Sequence, residues 1–295
     1  MIFILILSFI FGLVLGSFIN VIAYRLPLTL QYNWQKSCLN YLKIEQKTQS
    51  DPPYNSCFNL LGIRSHCPDC HQKIAFYHNI PIISFVFLRG RCHSCHKKIS
   101  WLYPITELIS AILFTLIIIK FGFSIATLFS LIFVFALITL AIIDIRTQLL
   151  PDIITLPLIW LGLMVNNFSY FTSLTLALWG AIIGYLILWF VYIIYKLLRH
   201  CDGLGFGDLK CLSAIGAWLG LNAILPTLVI ASISALISVL IIKFSEILIQ
   251  KAKPNYKPKL TNQIVFGPFL AFASIFILFW HNDPILTSIS VTSIM

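Results

Sequence analysis

The amino-acid sequence predicts an all-α polytopic membrane protein with about eight transmembrane helices. Of its 295 residues, 59% are hydrophobic and only 10% are charged. The mean hydropathy of +0.93 lies outside the range of soluble globular domains. Several apolar stretches approach the roughly 20 residues that a helix needs to cross a bilayer core of about 30 Å. Because no alternating strand pattern recurs at barrel spacing, the spans are predicted to be helical.

Eight stretches have the composition of a membrane-crossing helix. They are residues 2–24, 102–119, 124–143, 153–168, 174–195, 211–225, 226–243 and 264–281. The two shortest are 153–168 and 211–225, and the second is expected to enter from a recessed turn. The first stretch begins without a charge and stays apolar as far as Tyr24. It is therefore predicted to be a retained anchor rather than a cleaved signal peptide.

The distribution of basic residues predicts the orientation. With the loop after the first helix in the cytoplasm, the loops on that side and their edges carry 19 of the 20 lysines and arginines, Lys120 being the exception. Those loops are residues 25–101, 144–152, 196–210 and 244–263. The positive-inside rule then places both termini outside. The net charge of +10 is explained by basic loops beside anionic lipid, without a nucleic-acid partner.

The chain is predicted to divide into three parts: a first transmembrane helix (1–24), a cytoplasmic loop (25–101) and a membrane core (102–295). Within the loop, the segment 66–98 contains two Cys-x-x-Cys pairs, "CPDC" and "CHSC". The ligands that these pairs offer are Cys67, Cys70, Cys92 and Cys95. Two such pairs about 20 residues apart have the spacing of a four-cysteine zinc site.

The alternatives to zinc are two disulfides or four free thiols. Disulfides are disfavoured because a cytoplasmic loop is in a reducing compartment. Four thiolates complete the coordination shell of Zn²⁺, so the predicted metal is structural and does not activate water. The residues between the pairs alternate aromatic and β-branched types and are predicted to form short strands joining two zinc knuckles. The fold class therefore includes a ribbon-like, zinc-binding cytoplasmic insertion.

Two of the ten acidic residues lie at the cytoplasmic ends of apolar helices. Asp144 ends one such helix, and Asp208 follows the turn that opens another. Ionisable groups at this depth are candidates for function. Two neighbouring carboxyl groups share a proton, which is what an aspartic protease requires: one activates water and the other polarises the scissile carbonyl.

Asp208 belongs to the stretch "GLGFGDLK" at residues 203–210. Gly203, Gly205 and Gly207 lack a Cβ, so the backbone is expected to approach other backbone and substrate closely beside Asp208. The stretch is neither a Walker loop nor a dinucleotide-binding turn. A functionless helix connection remains the alternative. Lys210 is predicted to be an anchor at the membrane interface.

In these motifs and their order, the chain resembles the type IV prepilin peptidases, a family of Gly-x-Gly-Asp membrane aspartic proteases. Its matching motifs are "GSFINVIAYRLP", the two cysteine pairs, "YPITEL", "DIRTQLLPD", "GLGFGDLK" and "FGPFLA". The resemblance implies that Asp144 and Asp208 are the catalytic pair and that the four cysteines bind zinc. Val265 stands where many members have proline, and Arg146 where an acidic residue is frequent.

The resemblance also implies the reaction. Members cleave the basic leader peptide of prepilins and pseudopilins after a glycine, at the cytoplasmic face of the bacterial inner membrane. They then methylate the new N-terminal amine with S-adenosylmethionine, for which no binding residues are identified in this sequence. Three alternatives remain: a related protease without methyl transfer, a proton-coupled transporter using the two aspartates, and a membrane scaffold whose zinc module docks partners.

Overall fold

The computed structural model describes residues 2–43, 65–67, 69, 70, 72–75, 77, 80–200, 205–252 and 265–280. The ordered elements within these ranges are α-helices, one short 3₁₀ turn and two isolated β-bridges. The helices are α1 (Ile2–Tyr41), α2 (Ile83–Phe87), α3 (Leu102–Phe121), α4 (Ile125–Thr147), α5 (Asp152–Asn167), α6 (Leu174–Arg199), α7 (Phe206–Leu219), α8 (Ile224–Ala252) and α9 (Gly267–Trp280).

Five helical segments of the described chain are long and apolar enough to cross a membrane. These candidate spans are Ile2–Tyr41, Leu102–Phe121, Ile125–Thr147, Leu174–Arg199 and Leu221–Glu246. The protein is therefore an all-helical, multi-pass membrane protein. Helices α5, α7 and α9 have 16, 14 and 14 residues and fall below that length. They overlap three of the eight predicted spans, but their length alone does not identify them as crossings.

Several helix boundaries differ from the sequence prediction, among them those of α1 and α7, and α8 continues to Ala252 instead of ending at residue 243. Helix α1 continues to Tyr41 instead of ending near Tyr24. The prediction followed the apolar run, whereas an established helix continues through polar residues because each added residue gains one backbone hydrogen bond. Helix α7 begins at Phe206 and ends before Gly220, which has a φ of +82°. The predicted span 211–225 therefore starts earlier and is interrupted at this glycine.

The chain forms two compact units, Met1–Ile143 and Asp144–Met295. In the first unit, α1 packs closely against α3 through a Gly-x-x-x-Gly pattern. A Cβ at Gly12 would lie 2.6 Å from the Cα of Ala111, and a Cβ at Gly16 would lie 2.7 Å from the Cα of Glu107. Small residues at this spacing let membrane helices approach backbone to backbone.

In the second unit, α7 is the central helix and is buried on every side from Asp208 to Leu219, except at Lys210. Its carboxyl end is held by Asn166, whose side-chain amide donates to the carbonyls of Ala217 and Trp218, 2.8 Å away in both cases. The Trp218 indole donates to the carbonyl of Leu158, also at 2.8 Å. These contacts to α5 fix the position of α7, and with it the Asp208 side chain at its beginning.

Candidate active site and four-cysteine cluster

Asp144 lies in the last turn of α4 and is 6% exposed. Its Oδ2 accepts a hydrogen bond from the backbone amide of Gly267, the first residue of α9, at 2.9 Å. The first amides of a helix have no partner within the helix, and the helix dipole favours a negative charge there. The beginning of α9 therefore binds and orients the Asp144 carboxylate.

Asp208 is the third residue of α7 and is 9% exposed. Its amide donates to the carbonyl of Gly205, which closes the first turn of the helix. Among the described residues, no group hydrogen-bonds its Oδ1, although that atom is buried. A buried polar atom without a partner is uncommon and is expected at a site that binds water or substrate.

The structure places Asp144 and Asp208 in the same unit and within electrostatic reach of each other. Leu150 lies against both Gly207, which precedes Asp208, and Gly267, which contacts Asp144. Only Asp144 receives a backbone donor, while Oδ1 of Asp208 has none in the described chain. The two carboxyl groups thus have different surroundings within one buried acidic pair.

Leu150 packs between the two helix beginnings that flank this pair. A Cβ at Gly207 would lie 2.6 Å from the Cβ of Leu150, and one at Gly267 would lie 3.3 Å from its Cδ2 and 2.4 Å from Oδ2 of Asp144. A side chain at either glycine would displace Leu150 or the carboxylate. The absence of a Cβ at Gly207 and Gly267 is therefore what allows α7, α9 and the end of α4 to meet.

Gly205 and Gly203 are the other two glycines of the predicted turn. A Cβ at Gly205 would meet Oδ2 of Asp208 at 3.6 Å, which is an ordinary contact, so packing against the described residues does not require glycine there. Gly203 lies outside the described residues.

Lys210 forms an ion pair with Asp152 at the beginning of α5. Its Nζ lies 2.6 Å from Oδ1 and 2.7 Å from Oδ2 of Asp152. The two side chains are 26% and 56% exposed, respectively. The pair joins α7 to α5 two residues after Asp208. This contact gives Lys210 a partner that the sequence analysis did not identify.

In the first unit, the four predicted cysteines converge. The sulfur atoms of Cys67, Cys70, Cys92 and Cys95 all lie within 4.8 Å of one another, and the Cys67 and Cys95 sulfurs are 3.8 Å apart. In a tetrahedral zinc shell with bonds of about 2.3 Å, neighbouring sulfurs lie about 3.8 Å apart. The four thiols therefore fit a metal ion of the zinc type.

The two cysteine pairs share a backbone hydrogen-bond pattern, repeated 25 residues apart. The amide of Cys67 donates to the carbonyl of Gln72, and that of Cys92 donates to Lys97 in the same way, at 3.0 and 2.9 Å. Antiparallel bridges join His66 to Lys73 and Arg91 to Lys98. Each pair is thus the tip of a small hairpin, and the two tips face each other across the sulfur cluster.

The thiols of the cluster differ in acidity. Hydrogen bonds from the amides of Cys95 and Ser94 lower the pKa of Cys92 to about 7, which favours the thiolate. Burial and hydrogen bonds with the neighbouring thiols raise the pKa of Cys95 to about 11. Lys97 forms an ion pair with Asp69, and this hydrogen bond raises the pKa of Lys97.

The strands predicted between the pairs are wrong in the part of that segment that the structure describes. The strand-like pairing lies within each hairpin, and the connection contains the short helix α2.

Sequence reasoning missed three residues: Leu150 and Gly267 beside the acidic pair, and Asp152, which pairs with Lys210. Leu150 and Asp152 belong to "DIRTQLLPD", and Gly267 belongs to "FGPFLA". Both motifs were recognised, but no function was assigned to these positions. The dipeptide Gly267–Pro268 could have indicated the role of Gly267. Proline is favoured at the start of a helix, where backbone amides are free to bind another acceptor.

Comparison with known proteins gives two family matches. Residues 10–121 match the model described as the Bacterial Peptidase A24 N-terminal domain, and they include all four cysteines. Residues 131–240 match the Type IV leader peptidase family, and they include Asp144 and Asp208.

Several curated relatives cover nearly the whole chain and are named prepilin leader peptidase/N-methyltransferase. The protein from Stutzerimonas stutzeri is 38% identical over 94% of this chain and 90% of its own. The Aeromonas hydrophila protein is 39% identical over 94% and 91%, and the Neisseria gonorrhoeae protein is 36% identical over 95% and 91%. No solved structure gives a significant match.

Proposed function

Since this chain belongs to the type IV leader peptidase family, we propose that it cleaves the leader peptide of prepilins and pseudopilins and then methylates the new N-terminal amine. The observation that carries the peptidase assignment is the buried pair of Asp144 and Asp208. The two residues come from different helices, α4 and α7, and both are buried. We propose that cleavage occurs after a glycine, at the cytoplasmic membrane face.

The two carboxyl groups divide the work of peptide hydrolysis. One proton shared by the pair leaves one group ionised to take a proton from water, while the other donates to the carbonyl oxygen of the scissile bond. Water attacks the carbonyl carbon and gives a tetrahedral intermediate. The carboxyl group that took a proton from water then gives this proton to the leaving nitrogen as the carbon–nitrogen bond breaks. Oδ1 of Asp208, which no described group hydrogen-bonds, is available to water or substrate.

The supporting turn places Asp208 for this reaction. Gly207 lets α7 pack against Leu150, and Lys210 joins α7 to Asp152. Gly203 and Gly205 are proposed to leave room for the substrate backbone. A basic leader is not attracted by basic loops, so the glycine before the cut is expected to be recognised by its small size.

The four-cysteine cluster is proposed to bind one structural Zn²⁺. Thiolates from Cys67, Cys70, Cys92 and Cys95 would fill its shell and leave no position for water. A bound zinc would supply folding energy to the two hairpins. S-adenosylmethionine is the proposed methyl donor, on the strength of family membership alone.

We also propose how the chain crosses the membrane. Helices α5, α7 and α9 are taken to complete eight crossings with the five long spans, in the bacterial inner membrane. The zinc module and the acidic pair face the cytoplasm, with both termini periplasmic. The expected parts are the membrane-crossing part of α1 (1–24), the cytoplasmic part (25–101), which begins with the rest of α1, and the protease core (102–295).

Mass spectrometry of the products tests the function directly. Purified full-length protein in detergent or lipid is incubated with a purified prepilin, with and without S-adenosylmethionine. The expected product has lost its leader after glycine and, only with the methyl donor, has gained one methyl group on its new N-terminus. An intact prepilin would contradict the peptidase assignment, and a cleaved but unmethylated product would contradict the second activity.

A further inference from the structure

The segment that joins the two cysteine hairpins contains a strained turn at Ile82. Ile82 has a φ of +57° and a ψ of −49°, and the amide of Ile83 donates to the carbonyl of Pro81 at 2.5 Å. This is a classic γ-turn, which is rare and strained. The strain is larger for a β-branched residue such as isoleucine. Such a conformation persists only where neighbouring contacts hold it, and functional sites are where it concentrates.

The contact that holds this turn comes from a membrane helix. The amide of Ile82 donates to Oε2 of Glu107 at 2.8 Å. Glu107 lies in the first half of α3 and is 8% exposed. The Ser17 hydroxyl of α1 also hydrogen-bonds the Glu107 carboxylate. One buried carboxylate thus joins α1, α3 and the connection between the two cysteine pairs.

Helix α3, which carries Glu107, is joined to α1 by hydrogen bonds close to Glu107. Oδ1 of Asn20 in α1 accepts a hydrogen bond from the Thr106 hydroxyl at 2.8 Å, and its Nδ2 donates to the carbonyl of Tyr103 at 3.2 Å. The backbone of α3 lies so close to α1 here that a Cβ at Gly16 would lie 2.7 Å from the Cα of Glu107. Glu107 therefore accepts the Ile82 amide from a closely packed pair of helices.

We propose that Glu107 is a positioning residue for methyl transfer: by accepting the Ile82 amide, it holds the γ-turn and fixes the four-cysteine module on α1 and α3. This inference rests on the proposed methyltransferase activity. The acidic pair that would cleave the leader belongs to the second unit, whereas Glu107, the turn and the cysteines all belong to the first. Methyl transfer is a second reaction with its own substrate, and the first unit contains this constrained turn on the segment that joins the two cysteine hairpins.

The test measures cleavage and methylation separately in the full-length protein, with prepilin and S-adenosylmethionine as probes. Glu107→Ala removes the acceptor, and methylation is expected to fall by roughly tenfold to a hundredfold, as one lost hydrogen bond to a charged group implies. Cleavage is expected to stay within about threefold of the unaltered protein. Glu107→Gln keeps an acceptor for the Ile82 amide and is expected to restore most of the methylation.

A second variant addresses the strain itself. Glycine adopts a positive φ without steric cost, so Ile82→Gly in the Glu107→Ala background is expected to recover part of the lost methylation. Zinc content, measured in every variant, is expected to match that of the unaltered protein.

Three outcomes would overturn the proposal. Normal methylation by Glu107→Ala would show that the acceptor is not needed. Equal loss of cleavage, methylation and zinc would show a general requirement for folding. Failure of Glu107→Gln to methylate would show that a negative charge, rather than an acceptor for the turn, is required. The assay of the unaltered protein separates these results from failure of the proposed function, since that protein must first cleave and methylate.

Discussion

The backbone amide of Gly267 donates a hydrogen bond to Oδ2 of Asp144, across 123 positions of the sequence. The contact places the beginning of α9 against the end of α4, beside the carboxyl group of Asp208. A Cβ at position 267 would occupy the space of that carboxylate oxygen, at 2.4 Å. The "FGP" motif therefore has a structural role, which is to supply an amide and no side chain next to Asp144.

Replacing Gly267 with alanine is expected to impair leader cleavage. The Cβ must push the Asp144 carboxylate out of position, and misplacement of a reacting group by about 1 Å costs on the order of a hundredfold in rate. The measurement is kcat and KM for cleavage of a purified prepilin. The loss is expected in kcat, because Asp144 is proposed to act on the reacting atoms rather than to bind the rest of the substrate.

The matched control for Gly267→Ala is Ser274→Ala in the same helix. In the described part of the chain, the Ser274 hydroxyl donates to the carbonyl of Ala271 within α9. This variant is expected to cleave at a rate close to that of the unaltered protein. If Gly267→Ala also cleaved at the normal rate, the amide contact would not be part of the active arrangement.

Removing either carboxylate is expected to abolish cleavage. Asp144→Asn and Asp208→Asn keep the side-chain volume but can no longer exchange the proton that the proposed mechanism needs. A loss of about a thousandfold or more is expected for each, and the double variant should be little worse, because members of one catalytic unit are not additive. Rates are compared at equal amounts of membrane-inserted protein. Cleavage by either single variant at more than a few percent of the normal rate would contradict the assignment.

The residues that sequence reasoning located are those with a local signature. The cysteines stand in pairs, and Asp144 and Asp208 are rare charges at the ends of apolar helices, so spacing and chemistry were enough to single them out. The amide of Gly267, the side chain of Leu150 and the γ-turn at Ile82 have no such signature. Their importance depends on contacts between distant parts of the chain, which spacing does not reveal. The extension of α1 to Tyr41 was missed because helix continuation needs no apolar residues.

Gly207 and Leu150 are expected to be energetically coupled. Gly207→Ala places a Cβ 2.6 Å from the Cβ of Leu150, so α7 or the loop before α5 must move, and cleavage should fall. Leu150→Gly removes the opposing Cβ and should restore part of the activity in the double variant. A double-mutant cycle on kcat/KM measures this coupling, and residues in contact typically show 0.5–3 kcal/mol. Strictly additive losses would mean that the two positions do not contact each other in the active protein.

The ion pair of Lys210 with Asp152 is expected to contribute little to stability. Both partners are partly exposed, and such pairs are worth about 0.2–1 kcal/mol. Lys210→Met and Asp152→Asn should therefore each reduce thermal stability only slightly, and a double-mutant cycle should give a coupling within that range. Because salt screens exposed charges, the coupling should shrink when the cycle is repeated at high ionic strength. A coupling above about 2 kcal/mol, unaffected by salt, would contradict this view of Lys210.

The four-cysteine cluster is expected to hold about one zinc ion per chain. Elemental analysis of the purified protein gives the ratio, and Cys67→Ser or Cys92→Ser should each lose the metal, because serine is a poor ligand for Zn²⁺ and the two cysteines come from different hairpins. Cys38→Ser is the matched control, since Cys38 is exposed in α1 and lies outside the cluster. Metal binding displaces thiol protons, so zinc should be retained at neutral pH and released as the pH falls. An active, metal-free preparation would contradict a structural role for zinc. Retention of zinc by both cluster variants would mean that the metal is bound elsewhere.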